Sequence, residues 1–323
     1  MLFYLPAHIL RSSLASNINI RRISMFITIE DDFDLEKIKM SGQCFRVKEQ
    51  KDGWYRFITG DDVLYIRKDT DTRYEVSCDE MTFRDVWHPY FDFDRNYEAI
   101  RQSVQTDSEY ILEAMKAGRG IRVLRQDPWE TLITFILSQR KSIPAIANNV
   151  ETLARLGGHL IETDRESLFS FPTPREFTRI EMGMLKAAGV GYRLPYICDA
   201  RDKVISGEID LIAMEELSDE GLFDTLKTIC GVGNKIANCV CLYAYGRIAR
   251  VPIDTWIRKV INNTCEGRNP FPGFGDVAGV IQQYVFYTEQ MRKRGMWMIE
   301  IEDSASRRAS AETDADDIEE PVG

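Results

Sequence analysis

Cys230-Gly231-Val232-Gly233-Asn234-Lys235, followed by Val251-Pro252-Ile253-Asp254, sets an amine and a carboxylate nineteen residues apart around a glycine turn. Just upstream, Glu220–Ile229 spaces Leu222, Leu226 and Ile229 for the buried face of a helix. Gly231 and Gly233 break that helix, supplying a left-handed cap and a close backbone approach. Ile236, Val240, Cys241 and Ala244 then start a second helical pattern, so residues 219–246 read as a helix–hairpin–helix. The N–H groups that open a helix have no intrahelical partner, which makes the turn Gly231, Val232 and Gly233 a candidate phosphate contact. Lys235 falls in the first turn of the second helix. There the positive end of the helix dipole and partial burial favour a neutral amine, the form that attacks carbon. Asp254 follows Pro252 and is placed to cap the helix beginning at Thr255. A carboxylate beside the amine can take its proton and stabilise a developing cation. The same spacing also fits a DNA-binding hairpin in which Lys235 is a solvated surface residue and Asp254 a cap alone.

The charge balance is a weak guide to partners. The 323 residues carry a net charge of −10, which argues against nucleic acid. Much of it sits between Glu300 and Gly323, where nine acids face Arg307 and Arg308; that segment is −7 and the rest −3. Local basic clusters remain at Arg119, Arg122 and Arg125, at Arg140 and Lys141, and at Arg292, Lys293 and Arg294, each able to face phosphate. Seven cysteines without paired short spacing point to free thiols in a reducing compartment. Three histidines make a zinc site improbable, and no cofactor or metal is expected. No apolar run has the length of a membrane span, and the N-terminal basic residues follow the apolar stretch, the wrong order for a secretory signal. A cytoplasmic protein is expected.

The organisation reads as α+β: a small antiparallel sheet followed by a larger helical part. Residues 1–24 read as a disordered leader or an artefact of start-codon choice, and 25–105 as the sheet domain. Residues 106–299 then form the helical domain and 300–323 a disordered acidic tail. Trp54–Thr59, Val63–Arg67 and Thr72–Cys78 alternate as strands, which predicts a sheet with one wet face. Beyond Asp94 the pattern is helical throughout, with helices at Trp129–Gln139, Ile143–Leu156, Tyr192–Ser206 and about Asp276–Arg294.

Gly-Val-Gly-x-Lys followed by Val-Pro-Ile-Asp resembles the signature of the helix–hairpin–helix glycine/proline/aspartate DNA glycosylases, in which a lysine here marks members that also cleave the backbone. Several segments between residues 42 and 294 are similar to 8-oxoguanine DNA glycosylase, in its bacterial rather than animal form. Gly42-Gln43-Cys44-Phe45-Arg46 resembles that family's segment whose glycine carbonyl accepts from the N7–H that 8-oxoguanine has and guanine lacks. The resemblance implies that Cys239 packs on one face of the flipped base and Phe286 on the other. Gln282 would read the base's Watson–Crick edge, and Asp276 would hold the nucleotide's sugar-phosphate. Tyr192 would insert beside the estranged base as a stacking wedge, with Arg193 contacting that base. Relatives with an iron–sulfur loop carry four cysteines after the aspartate; only Cys265 follows Asp254. The eukaryotic loop has asparagine where Arg140 falls and arginine where Ala145 falls. Alanine cannot donate to a base, so opposite-base discrimination is expected to weaken, with Arg193 left as the main reader and Arg140 as a further DNA contact.

The function implied is bifunctional base-excision repair. Lys235 and Asp254 would release 8-oxoguanine from duplex DNA and cut the strand 3′ to the lesion through a lysine Schiff base. The protein is expected to act as a nucleoid-associated monomer on double-stranded DNA containing an oxidised purine. Removal of alkylated purines or oxidised pyrimidines is one alternative. A non-catalytic damage-recognition protein is the other.

Overall fold

Alternating apolar residues build a five-stranded antiparallel sheet at the N-terminal end of the computed structural model, which describes residues 24–295. The expected leader, through residue 23, and the acidic tail lie outside the described residues. The strands are β1 (Met25–Thr28), β2 (Lys48–Glu49), β3 (Trp54–Thr59), β4 (Asp62–Lys68) and β5 (Arg73–Val76), in the order β1-β5-β4-β3-β2. Phe57 pairs with Leu64 and Tyr55 with Ile66 across β3 and β4. This face packs on Phe91, Trp87 and Ile38 in a core of its own.

The opposite face is not wet, contrary to the alternation. Trp54, Arg56, Ile58 and Tyr65 are all buried. A short ribbon, β6 (Leu160–Glu162) with β7 (Ser167–Phe169), supplies the cover. Arg165, in its turn, lies over the rings of Trp54 and Tyr65, and Glu166 accepts from Arg56. Strands of three residues give too little alternation to be seen in the sequence, so the expectation of an all-helical remainder is corrected here.

Helices otherwise form the second part, and the fold is α+β. Asp127 caps Pro128–Leu137 by accepting from Glu130 N at 2.7 Å, and proline at the first position needs no donor. Ile143–Gly157, Leu194–Ser206, Asp219–Lys227, Asn234–Tyr243 and Thr255–Asn263 follow, and Ala278–Lys293 closes the bundle. Some boundaries move. Tyr192 and Arg193 belong to a 3-10 turn before Leu194, and Phe271–Val277 is a 3-10 stretch, so Asp276 precedes the last helix. Apolar faces of these helices share one core, and Tyr284, Val280 and Ile281 of the last helix lie inside it.

Candidate active site

The hairpin turn is shaped by what cannot fit there. Gly231 holds φ at 79°, and a Cβ on it would lie 2.3 Å from the Tyr196 ring. Gly233 is exposed and opens Asn234–Tyr243 without a side-chain cap, leaving the start of that helix free for an anion. Val232 departs from the expected phosphate contact: its side chain is in the core and its N–H already donates to Ile229 O at 3.0 Å. It anchors the turn.

Lys235 is half-buried and points inward from the first turn. Its ammonium donates to Ser138 Oγ at 3.1 Å and lies 4.9 Å from the Phe135 ring centroid. Ser138 ends the helix Pro128–Leu137, and its hydroxyl donates to Phe135 O at 2.7 Å. Asp254 caps Thr255–Asn263 as expected, its Oδ1 accepting from Trp256 N and Ile257 N at 2.9 Å each. Burial raises its carboxyl above the usual aspartate range; the Ile257 amide and the Lys235 charge pull the other way without cancelling it. No ion pair joins Lys235 to Asp254 among the described residues, so the amine and the carboxylate are neighbours held by separate partners. Cys239, one turn after Lys235, is buried and its thiol is pushed up to about 11 by that burial. It stays neutral and serves as a wall rather than a nucleophile.

One cavity of about 770 Å³ gathers these groups. Lys235, Asp254, Cys239, Gly42, Gln282, Phe286 and Arg140 all line it. Gly42 has φ 74°, and a Cβ there would lie 2.7 Å from Phe286 Cε1. Gln282 is 2% exposed, and its Oε1 has no hydrogen-bond partner. Gly42 and Gln282, 240 residues apart in sequence, therefore meet on one pocket. The mouth is basic: Arg140, which holds the uncommon φ of 53°, is joined there by Arg258, Lys293 and Arg294.

Other expected residues fall elsewhere. Asp276 is exposed and does not line the cavity, because the 3-10 stretch carries it away from the helix face that does. Tyr192 is half exposed, as a wedge must be, with its ring over the Arg193 guanidinium at 4.4 Å. Arg193 itself is folded inward, donating to Gln139 O and to Val190 O, and so is not presented to a base. The first basic cluster is engaged with partners of its own. Arg122 is fully buried and donates to Phe91 O, Asp92 O and Arg95 O, while Arg119 pairs with Asp32 and Arg125 with Glu215. These arginines hold loops together.

Sequence reasoning missed Ser138, Trp256 and Gln290, all on the cavity wall. Ser138 meets Lys235 across 97 residues, which no local pattern foretells. Gln290 carried a signal: it follows Phe286 by the same four residues that separate Gln282 from Phe286.

The family model for the 8-oxoguanine DNA glycosylase N-terminal domain matches residues 25–132. The solved structure of MBOgg1 in complex with a low-affinity DNA ligand is 38% identical, with a TM-score of 0.79, covering 86% of this chain and 99% of that one. The Clostridium acetobutylicum 8-oxoguanine glycosylase/lyase, solved with double-stranded DNA containing cytosine opposite 8-oxoguanine, is 28% identical. Its TM-score is 0.75, over 84% of this chain and 98% of that one. Among curated proteins, the probable N-glycosylase/DNA lyase of Methanothermobacter thermautotrophicus is 26% identical over 293 residues, 79% of this chain and 93% of the relative.

Proposed function

The chain belongs to the 8-oxoguanine DNA glycosylases of the helix–hairpin–helix superfamily, and on that premise we propose how its own residues act. It is an N-glycosylase with DNA lyase activity whose substrate is duplex DNA bearing 8-oxoguanine. The free start of Asn234–Tyr243 and the basic mouth hold phosphates on either side of the lesion. Tyr192 replaces lost stacking as the nucleotide leaves the helix, at a cost of a few kcal/mol for extrusion. The base enters between Cys239 and Phe286, with its N7–H donating to Gly42 O and its Watson–Crick edge meeting Gln282.

Lys235 Nζ, once deprotonated, attacks C1′ as the bond from C1′ to N9 breaks and the base leaves with the electron pair. Asp254, ionised, stabilises the positive charge on the sugar. Opening of the sugar ring turns the amine adduct into a protonated Schiff base. That cation acidifies the C2′ proton; its removal expels the 3′ phosphate and cuts the strand. Asp276 is not carried into this scheme.

The observation that supports the reading best is the convergence of an amine, a capping carboxylate and an unpartnered buried amide on one cavity roomy enough to admit a nucleotide. An end-labelled panel of duplexes, each with one defined lesion, tests it, with borohydride added to trap the adduct. Wild type should cut the 8-oxoguanine strand and form a trapped complex, and Lys235→Gln should do neither. Equal trapping by Lys235→Gln would remove the lysine from the mechanism. Preferential release of an alkylated purine or an oxidised pyrimidine would reassign the substrate.

A further inference from the structure

The last helix presents Gln282, Phe286 and Gln290 at intervals of four, one stripe along the cavity wall. The two glutamines bracket the ring that the proposed function sets against the base. Each is more than nine-tenths buried, at 2% and 6% exposure, and each has a polar atom with no partner among the described residues. On Gln282 that atom is the acceptor Oε1; on Gln290 it is the donor Nε2. A buried amide donor left unpaired is costly, and on the wall of a cavity it is available to an acceptor that enters. The position of this donor is specific. Gln290 Nε2 would lie 3.1 Å from a Cβ on Gly42, beside the residue whose carbonyl is assigned to the N7–H.

We propose that Gln290 is a specificity-determining residue of the base pocket, donating from Nε2 to a carbonyl oxygen that flanks N7 on the oxidised purine. The inference rests on the reading of the cavity as an 8-oxoguanine pocket. In 8-oxoguanine N7–H is a donor set between two acceptors, O6 and O8. Gly42 O accepts from the donor and Gln290 supplies the complementary donor to a neighbouring acceptor. Two adjacent groups of opposite sense reject a base whose edge is reversed more strongly than one carbonyl does. Gln282 Oε1, an acceptor, is left for the donors of the Watson–Crick edge.

Three proteins on three duplexes decide the matter: wild type, Gln290→Leu and Gln290→Glu, on 8-oxoguanine, on 8-oxoadenine and on a preformed abasic site. Leucine keeps the bulk and removes the donor; glutamate keeps the shape and turns the donor into an acceptor. Gln290→Leu should lower kcat/KM on 8-oxoguanine roughly fivefold to tenfold, the worth of one neutral hydrogen bond. Gln290→Glu should lower it further. Cleavage of the abasic duplex, which has no base to read, should be unchanged in both. 8-Oxoadenine keeps O8 and has an amino group in place of O6. An equal loss on both lesions therefore assigns O8. A loss confined to 8-oxoguanine, or a gain on 8-oxoadenine in Gln290→Glu, assigns O6. Variants that match wild type on 8-oxoguanine overturn the proposal, as does a parallel loss on the abasic duplex. A wild type inactive on 8-oxoguanine would instead sink the functional reading beneath it.

Discussion

Gly42 shows how one missing side chain shapes a pocket. With φ at 74° and its would-be Cβ 2.7 Å from Phe286 Cε1, alanine there meets both backbone strain and the ring that walls the cavity. Gly42→Ala should push Phe286 toward the base and lower 8-oxoguanine excision by about tenfold or more. Cleavage at a preformed abasic site should change little, and comparing the two rates on one preparation checks it. Asp254 gives a second test at this scale. Its carboxyl is raised by burial, and the ionised form is the one that supports a cation. Single-turnover excision should therefore fall as the medium is acidified through a value above the ordinary aspartate range. Asp254→Asn should lower the rate throughout and abolish that acid limb; a limb that persists would assign it to another group. Gly42 was legible in the sequence only through a resemblance, since a lone glycine does not announce its role, whereas Asp254 was legible also as a helix cap after Pro252.

Among the elements, three loops around the cavity mouth are stitched to one another. Lys141 donates to Gly189 O at 2.7 Å and to Asn149, Arg193 donates to Gln139 O, and Gln139 Nε2 reaches Gly231 O at 3.4 Å. The loop after Pro128–Leu137, the loop that carries Gly189 and Arg193, and the hairpin turn are thereby tied. These bonds also occupy the Arg193 guanidinium, which the resemblance assigned to the estranged base. Arg193 is committed to a carbonyl, and the exposed Ala145 has no donor at all. A good bidentate pair with the opposite base contributes about 1–3 kcal/mol of discrimination, and neither Arg193 nor Ala145 offers one here. Excision of 8-oxoguanine opposite C, A, G and T should thus stay within about tenfold. A larger preference for C in matched single-turnover assays would show that Arg193 is released on binding. The stitching was not legible beforehand, because it joins main-chain carbonyls to side chains far apart in sequence. The helices themselves were legible, since caps such as Asp127 and Asp254 and the 3.6-residue spacing act within one turn.

At the scale of the molecule, sheet and helices are joined by a buried charge network that composition conceals. Arg46, 3% exposed, lies between Glu151 at 3.1 Å and Glu130 at 3.7 Å, while Arg56 of β3 meets Glu151 and Glu166. The sheet face expected to be wet is the one this network seals, which is why alternation alone misjudged it. Within the network, desolvation lifts the Glu130 carboxyl to about 7, with the Arg46 charge opposing it. Its ordinary value is 4.5, so between the two the folded chain holds a proton that the unfolded chain has released. Stability from this group is full below about 4.5 and declines as pH rises through about 7, by on the order of 3 kcal/mol at most. Glu130→Gln keeps the shape and fixes the neutral state. Arg46 retains Glu151, so the variant should fold. Urea midpoints from pH 4.5 to 8 should fall for wild type relative to Glu130→Gln, with the two converging at the acid end. Parallel midpoint curves would mean that Glu130 ionises in the folded protein as it does in the unfolded chain, and that the network's charge is balanced without it.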